Sequence, residues 1–252
     1  MEQYKAMIKC IEKQARFWEE RKDKIDLPQF LKNPLYMEAI GEKSLLPFVT
    51  ISREYGAGGY FVGEKLADIL NSKNKSRPPW AAYDKNILEK VMDELGLNEK
   101  LVNTLTDHAR ASMTEIFQTA FSSFPPQIAV YKKLIEQILL LVQNGHVIII
   151  GRGGNFLTQK IEKGFHVRLI APMEWRIEQV SRMQNISIHD AKKMIVEKTK
   201  LREGYIKQYI KHDLHDPNNF DLIINSSRFS TEQVARLIIK GMKLKGILGD
   251  NG

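Results

Sequence analysis

The sequence predicts an α/β fold, a parallel sheet covered by helices on both faces. Short β-rich apolar runs recur near residues 46–51, 80–83, 146–150, 165–170 and 220–224, with helical periodicity between them. The run Val147-Ile148-Ile149-Ile150 has no polar interruption, as expected of a strand buried on both sides. Strands joined by helical crossovers lie parallel, and such sheets bind ligands at the carboxyl ends of their strands.

Residues 1–45 read as a helical extension ahead of this core. Tyr4, Ile8, Ile11, Ala15 and Trp18 step by four and three along one helix face, and Pro28 and Pro34 then break the helix. The stripe is too short for a coiled coil. Packing on the protein's own body is expected, with a homo-oligomer contact as the alternative.

The first strand runs directly into Gly56-Ala57-Gly58-Gly59 and then into a helix from about Tyr60 to Leu70. Pro78 and Pro79 lead to the second strand, and three polar helical stretches follow near 86–95, 98–108 and 110–122. Pro125 and Pro126 open an amphipathic helix that ends at Asn144-Gly145 before the buried strand. After the fourth strand Pro172 opens a helix. Ser187 with Asp190 caps a long one expected to reach about Lys211, and Ser230 with Gln233 caps the last.

Composition narrows the function classes. The chain has 252 residues, 43% hydrophobic and 27% charged, an ordinary globular balance. A single cysteine, Cys10, excludes an internal disulfide framework and a cysteine-ligated metal. No apolar run approaches the roughly 18 residues that span a bilayer, and the charged N-terminus lacks a secretory core. These features read as cytoplasmic, with no membrane partner. The net charge of +8 suits an anionic ligand. Lys73, Lys75 and Arg77 beside Trp80 form the densest basic cluster, which reads as a solvated loop; nucleic acid is not an expected partner, since no recognition module is present. No histidine spacing suggests a metal site, and no serine, histidine and acid set suggests nucleophilic hydrolysis.

The strand, glycine-rich loop and helix around Gly56–Gly59 carry the strongest local chemistry. That arrangement aims backbone N–H groups and the helix dipole at one point, which suits phosphate. The dinucleotide pattern G-x-G-x-x-G fails because Phe61 holds its third glycine position. A tight turn without a ligand is the plain alternative.

In order along the chain, ISREYGAGG (51–59), VIIIGRGG (147–154), VRLIAP (167–172) with Arg176, and FDLIINSS (220–227) resemble the blocks of the cytidylate-kinase-like family, a branch of the P-loop nucleoside-monophosphate kinases. The resemblance covers roughly residues 46–245. It implies a kinase-like domain over 46–252, with a helical substrate-binding insertion at 80–145 and a lid at 173–217. It also implies ATP-dependent phosphoryl transfer with Mg2+ to a nucleoside monophosphate, CMP or dCMP by family habit. Gly56, Ala57, Gly58, Gly59 and Tyr60 would then cradle the donor phosphates, and Arg53, Arg152, Arg176 and Arg202 would neutralise charge during transfer. Asp84 and Arg152 would meet the acceptor; no residue is expected to ligate a metal directly.

The chain departs from the usual phosphate loop G-x-x-x-x-G-K-[ST]. Arg53 replaces the first glycine, Gly59 holds the lysine position, and Tyr60 and Phe61 follow where a small hydroxyl is expected. Gly153 stands where cytidylate kinases carry an acceptor-contacting aspartate, and Thr199 where family members often carry an acid near the lid arginine. Arg53 is a candidate for the missing charge, and Lys65 is expected to face away. These departures keep open an alternative function, a catalytically impaired nucleotide-binding module acting as sensor or partner-binding protein.

Overall fold

The computed structural model describes residues 11–14, 46–73, 78–84, 137–139, 141–142, 144–159, 161–206 and 213–249. The expected helices over 86–122, most of the 1–45 extension and Lys75 and Arg77 of the basic cluster lie outside these residues.

Five strands form one sheet: β1 Phe48–Arg53, β2 Ala81–Tyr83, β3 Val147–Ile150, β4 Gly164–Ile170 and β5 Leu222–Asn225. Their order is β2-β3-β1-β4-β5, and each neighbouring pair is parallel. Helices α1 Gly59–Lys73, α2 Gly154–Leu157, α3 Met173–Gln184, α4 Ile188–Tyr205 and α5 Thr231–Leu244 accompany the sheet, with 3-10 turns at Pro217–Asn219 and Ser226–Arg228 and further helical residues at 11–14, 137–139 and 141–142. This is the expected α/β fold, a parallel sheet with helices packed against it.

The central place of β1 follows from its sequence. Phe48, Val49, Thr50, Ile51 and Ser52 are all buried, because β3 covers one edge and β4 the other. The outgoing connection from β1 leads to β2 on one side, whereas that from β3 leads to β4 on the other. Strands β1 and β3 are adjacent and parallel, so their carboxyl ends lie side by side at the edge of the sheet where such folds bind ligands, and polar residues are admitted there. Both glycine-bearing turns, after β1 and after β3, therefore face one opening.

Strand β1 starts two residues later than the apolar run and continues through Ser52 and Arg53. Strand β5 is also displaced, because Asp221 leaves the apolar register to accept the His166 backbone N–H at 2.8 Å. Helix α4 begins as expected, with Ser187 Oγ accepting from the Asp190 N–H at 3.1 Å, but its α-helical span ends at Tyr205 rather than near Lys211. Helix α5 has the full reciprocal box between Ser230 and Gln233, a device that contributes about 1 kcal/mol. Asp213 and Asp216 close local turns through the His215 and Asn218 amides.

Two buried polar groups tie distant segments together. Within the short helical stretch at 11–14, Ile11 and Gln14 are fully buried against the core. Gln14 Nε2 donates to the Pro79 carbonyl at 2.7 Å and to the His146 carbonyl at 2.9 Å, while its Oε1 accepts from the Tyr83 hydroxyl at 2.6 Å. This stretch packs on the protein's own body, at the β2–β3 edge. On the other side of the sheet, His166 shares a 2.8 Å hydrogen bond with Thr50 Oγ1. Burial pushes the His166 imidazole down to about 4, opposed by Asp221 and reinforced by Lys245.

Removing Gln14 strands two carbonyls and a hydroxyl, so Gln14→Ala is expected to lower stability by about 2 kcal/mol in urea unfolding. For His166 the unfolded chain takes a proton below its ordinary 6.5 while the folded chain resists until about 4. Stability is therefore full above pH 6.5 and falls as pH drops toward 4. His166→Gln should remove about 2 kcal/mol of the loss between pH 7 and pH 5, measured as the flattening of the urea midpoint against pH.

Candidate functional site

The crevice at the carboxyl ends of β1 and β3 opens into a cavity of about 770 Å³. That volume suits a nucleotide-sized ligand. Its floor is the loop after β1, where Gly56 and Gly58 have φ of +87° and +78°. A side chain would be strained at either φ, so the turn depends on glycine. The first helical bond runs from the Val62 N–H to the Gly58 carbonyl at 3.1 Å, so the Gly59 and Phe61 amides ahead of it have no acceptor inside α1. Gly58, Gly59, Tyr60 and Phe61 all line the cavity, at the positive end of the helix.

The second wall follows β3. Gly151, Arg152 and Gly153 have φ of +81°, +56° and +68°, and the turn closes through the Gly154 N–H to the Gly151 carbonyl at 3.0 Å. Arg152 thus holds a left-handed conformation that costs an ordinary residue of order 1 kcal/mol. Directly after it, Asn155 is 3% exposed and its Nδ2 has no hydrogen-bond partner. Asp84 joins the wall from the end of β2.

The roof comes from α3 and α4, with Val180 and Met183 on one helix and Lys198, Leu201 and Arg202 on the other. The two helices pack on each other through Ile177, Val180, Ala191 and Ile195. Arg202 Nη1 donates to the Arg53 carbonyl at 3.4 Å, and its guanidinium lies 5.0 Å from the Tyr55 ring centroid. These contacts bring a roof residue down onto the end of β1.

Arg53, Arg152 and Arg202 therefore meet at one cavity from three separate elements. Burial pushes the Arg53 guanidinium down to about 9, and Arg202 and Arg152 lower it further while Asp84 opposes them. Burial also lowers Arg202; Tyr55 opposes that shift and Arg152 adds to it. Arg53 still carries its charge at neutral pH. The cavity is a concentrated positive field behind low-dielectric walls, suited to a polyanion.

The remaining candidates occupy different places. Arg176 lies behind the loop and is not among the residues lining the cavity. Its Nε donates to the Ala171 carbonyl at 2.9 Å, its Nη1 to the Tyr55 carbonyl at 3.3 Å, and Glu54 lies 3.6 Å away. Glu54 in turn accepts the Ala171 N–H at 2.9 Å, so the pair straps the end of β1 to the end of β4. Ala57 is fully buried and accepts from Ser226 Oγ at 3.0 Å; it anchors the loop from below. Tyr60 lines the cavity while its hydroxyl donates to Glu64 at 2.7 Å. Lys65 points toward α5, 3.7 Å from Glu232. Sequence reasoning passed over Tyr55 and Asn155. A polar residue just past a glycine-arginine turn was the available signal for Asn155; nothing local marks Tyr55.

The residues fit a magnesium-bound polyphosphate by their chemistry. Magnesium keeps several waters and needs one or two carboxylates beside the phosphates. Asp84 is a carboxylate of that wall, whereas Glu54 is engaged in the strap. Among the described residues no group of three His, Cys, Asp or Glu side chains could hold a metal without such help. Nor is any described helix long and apolar enough to cross a membrane.

Comparison with known proteins finds relatives in sequence and in fold. A cytidylate kinase of Pyrococcus horikoshii is 30% identical over 205 residues, covering 81% of this chain and 92% of its own length. A uronate isomerase of Corynebacterium glutamicum is 23% identical over 161 residues, and this chain spans only 31% of its length. The crystal structure of an uncharacterized protein from Eubacterium ventriosum superposes over 80% of this chain and 99% of its own with a TM-score of 0.58 at 19% identity, a likeness of fold. The model of the cytidylate kinase-like family matches residues 48–228, which takes in the loop, both turns and the roof helices, and this chain belongs to that family.

Proposed function

We propose that the chain transfers a phosphoryl group from ATP to a nucleoside monophosphate, with a CMP- or dCMP-like acceptor. The observation that carries the reading is the meeting of Arg53, Arg152 and Arg202 over a glycine-rich helix start in one cavity. Membership of the cytidylate kinase-like family supports the same chemistry.

Phosphoryl transfer asks a protein mainly for positioning and charge neutralisation. The amides at Gly58 and Gly59 hold the donor phosphates. An acceptor phosphate oxygen bonds to the γ-phosphorus as the bond to the bridging oxygen of the departing ADP breaks. Arg152, fixed by its left-handed turn, and Arg202, held by Tyr55, balance the charge on the equatorial oxygens. Asp84 would help hold a magnesium ion, which would supply charge neutralisation when bound. Residues 173–217 act as the lid, since α3 and α4 roof the cavity and their closure excludes water. Residues 80–145 supply the acceptor side, and the described stretch 11–14 braces the β2–β3 edge through Gln14.

The second reading, a nucleotide-binding module with impaired chemistry, is favoured by Gly59 at the position of the phosphate-loop lysine and by Phe61 where a small hydroxyl is expected.

Turnover of ATP with Mg2+ against a panel of nucleoside monophosphates separates the two. ADP formation that requires an acceptor, is fastest with CMP or dCMP, and drops about 100-fold or more in Arg152→Ala is the expected result. ATP binding without acceptor-dependent turnover would support the binding module and contradict the kinase. Arg176→Ala is expected to act differently, lowering the unfolding midpoint by more than it raises the KM for ATP.

A further inference from the structure

Arg53 and Gly59 occupy the two ends of one slot. The stem of Arg53 runs beneath the start of α1, and a Cβ added at Gly59 would lie 3.0 Å from Arg53 Cγ and 3.2 Å from Cδ. The head of the same side chain rests on Gly151, where a Cβ would overlap Nη1 and lie 2.7 Å from Cζ. Two glycines on separate loops thus leave room for a single arginine. Among the described residues no carboxylate comes within salt-bridge distance of its guanidinium; the nearest influences are two more arginines and, more weakly, Asp84.

In the ordinary phosphate loop the residue at the position of Arg53 is glycine and the residue at the position of Gly59 is lysine. Here the two are exchanged. A Cβ at 59 would press on the Arg53 stem, which would have to give by a few tenths of an ångström, so a side chain there and the present seat of Arg53 compete for the same space. We infer that Arg53 is the donor-phosphate cation of this chain, delivered from the end of β1 through the space that the missing lysine vacates, and that Gly59 and Gly151 are glycine to admit it. The charge of the phosphate loop has been moved, not lost. This inference rests on the phosphate-binding role of the cavity proposed above and says which residue carries it.

Burial and the neighbouring arginines hold the unliganded Arg53 in an unfavourable electrostatic position. An anion relieves that repulsion, so binding of polyphosphate and the charge of Arg53 are linked. A neutral nucleoside gains nothing from the linkage.

Calorimetric titration with Mg-ATP, Mg-tripolyphosphate and adenosine, on the full chain, tests this apart from turnover. Arg53→Gln is expected to weaken ATP and tripolyphosphate by about 10- to 100-fold and leave adenosine unchanged. The exchange Arg53→Gly with Gly59→Lys should regain most of the lost tripolyphosphate affinity, whereas Gly59→Lys alone should not exceed the native protein. Circular dichroism melts identify any variant that has failed to fold, and Arg53→Lys then serves as the milder probe, with intermediate affinity expected. Native-like ATP and tripolyphosphate affinity in folded Arg53→Gln would overturn the inference while leaving the kinase reading in place. Tripolyphosphate binding that depends on Arg53, without acceptor-dependent turnover, would keep the inference and remove the kinase. A native chain that binds neither ATP nor tripolyphosphate would overturn both.

Discussion

Like charges brought together in a desolvated crevice repel strongly, and that repulsion is the constraint around which this site is built. Arg53, Arg152 and Arg202 come from β1, from the turn after β3 and from α4, so each is positioned independently. Side-chain packing between the three cannot hold them together. The backbone does: a left-handed turn aims Arg152, a slot between two glycines confines Arg53, and the Tyr55 ring with the Arg53 carbonyl receives Arg202. The rigidity that resists the repulsion comes from β1, buried between β3 and β4 and strapped at its end by Glu54 and Arg176.

The same constraint separates residues that touch ligand from residues that support the floor. Arg176 uses its guanidinium on two backbone carbonyls and Glu54, and Ala57 hangs from Ser226. Both keep the loop in place without lining the cavity. A glycine-rich loop of this kind loses geometry when its underside moves, so their contribution to the cavity is indirect.

What could be read from the sequence follows this division. The uninterrupted Val147–Ile150 run announced a strand buried on both faces, and the capping signals at Ser187 and Ser230 located two helix starts, because each is a local rule. The end of β1 was placed too early since Ser52 and Arg53 are polar, and they are polar because that end faces the crevice. Arg176 on a helix near the lid looks like Arg202 in sequence; only the fold turns one toward carbonyls and the other toward the cavity. The dependence of Arg53 on both Gly59 and Gly151 joins loops from separate parts of the chain, which no window along the sequence contains. The acceptor-side helices expected within 85–136 lie outside the described residues.

The most direct measurement of the cavity as a polyphosphate site is the affinity of the native chain for adenosine, AMP, ADP and ATP with magnesium at two salt concentrations. Affinity rising stepwise with phosphate number, to about 100-fold or more between adenosine and ATP, and shrinking at higher salt is the predicted result. Equal affinities for the four ligands, insensitive to salt, would contradict it.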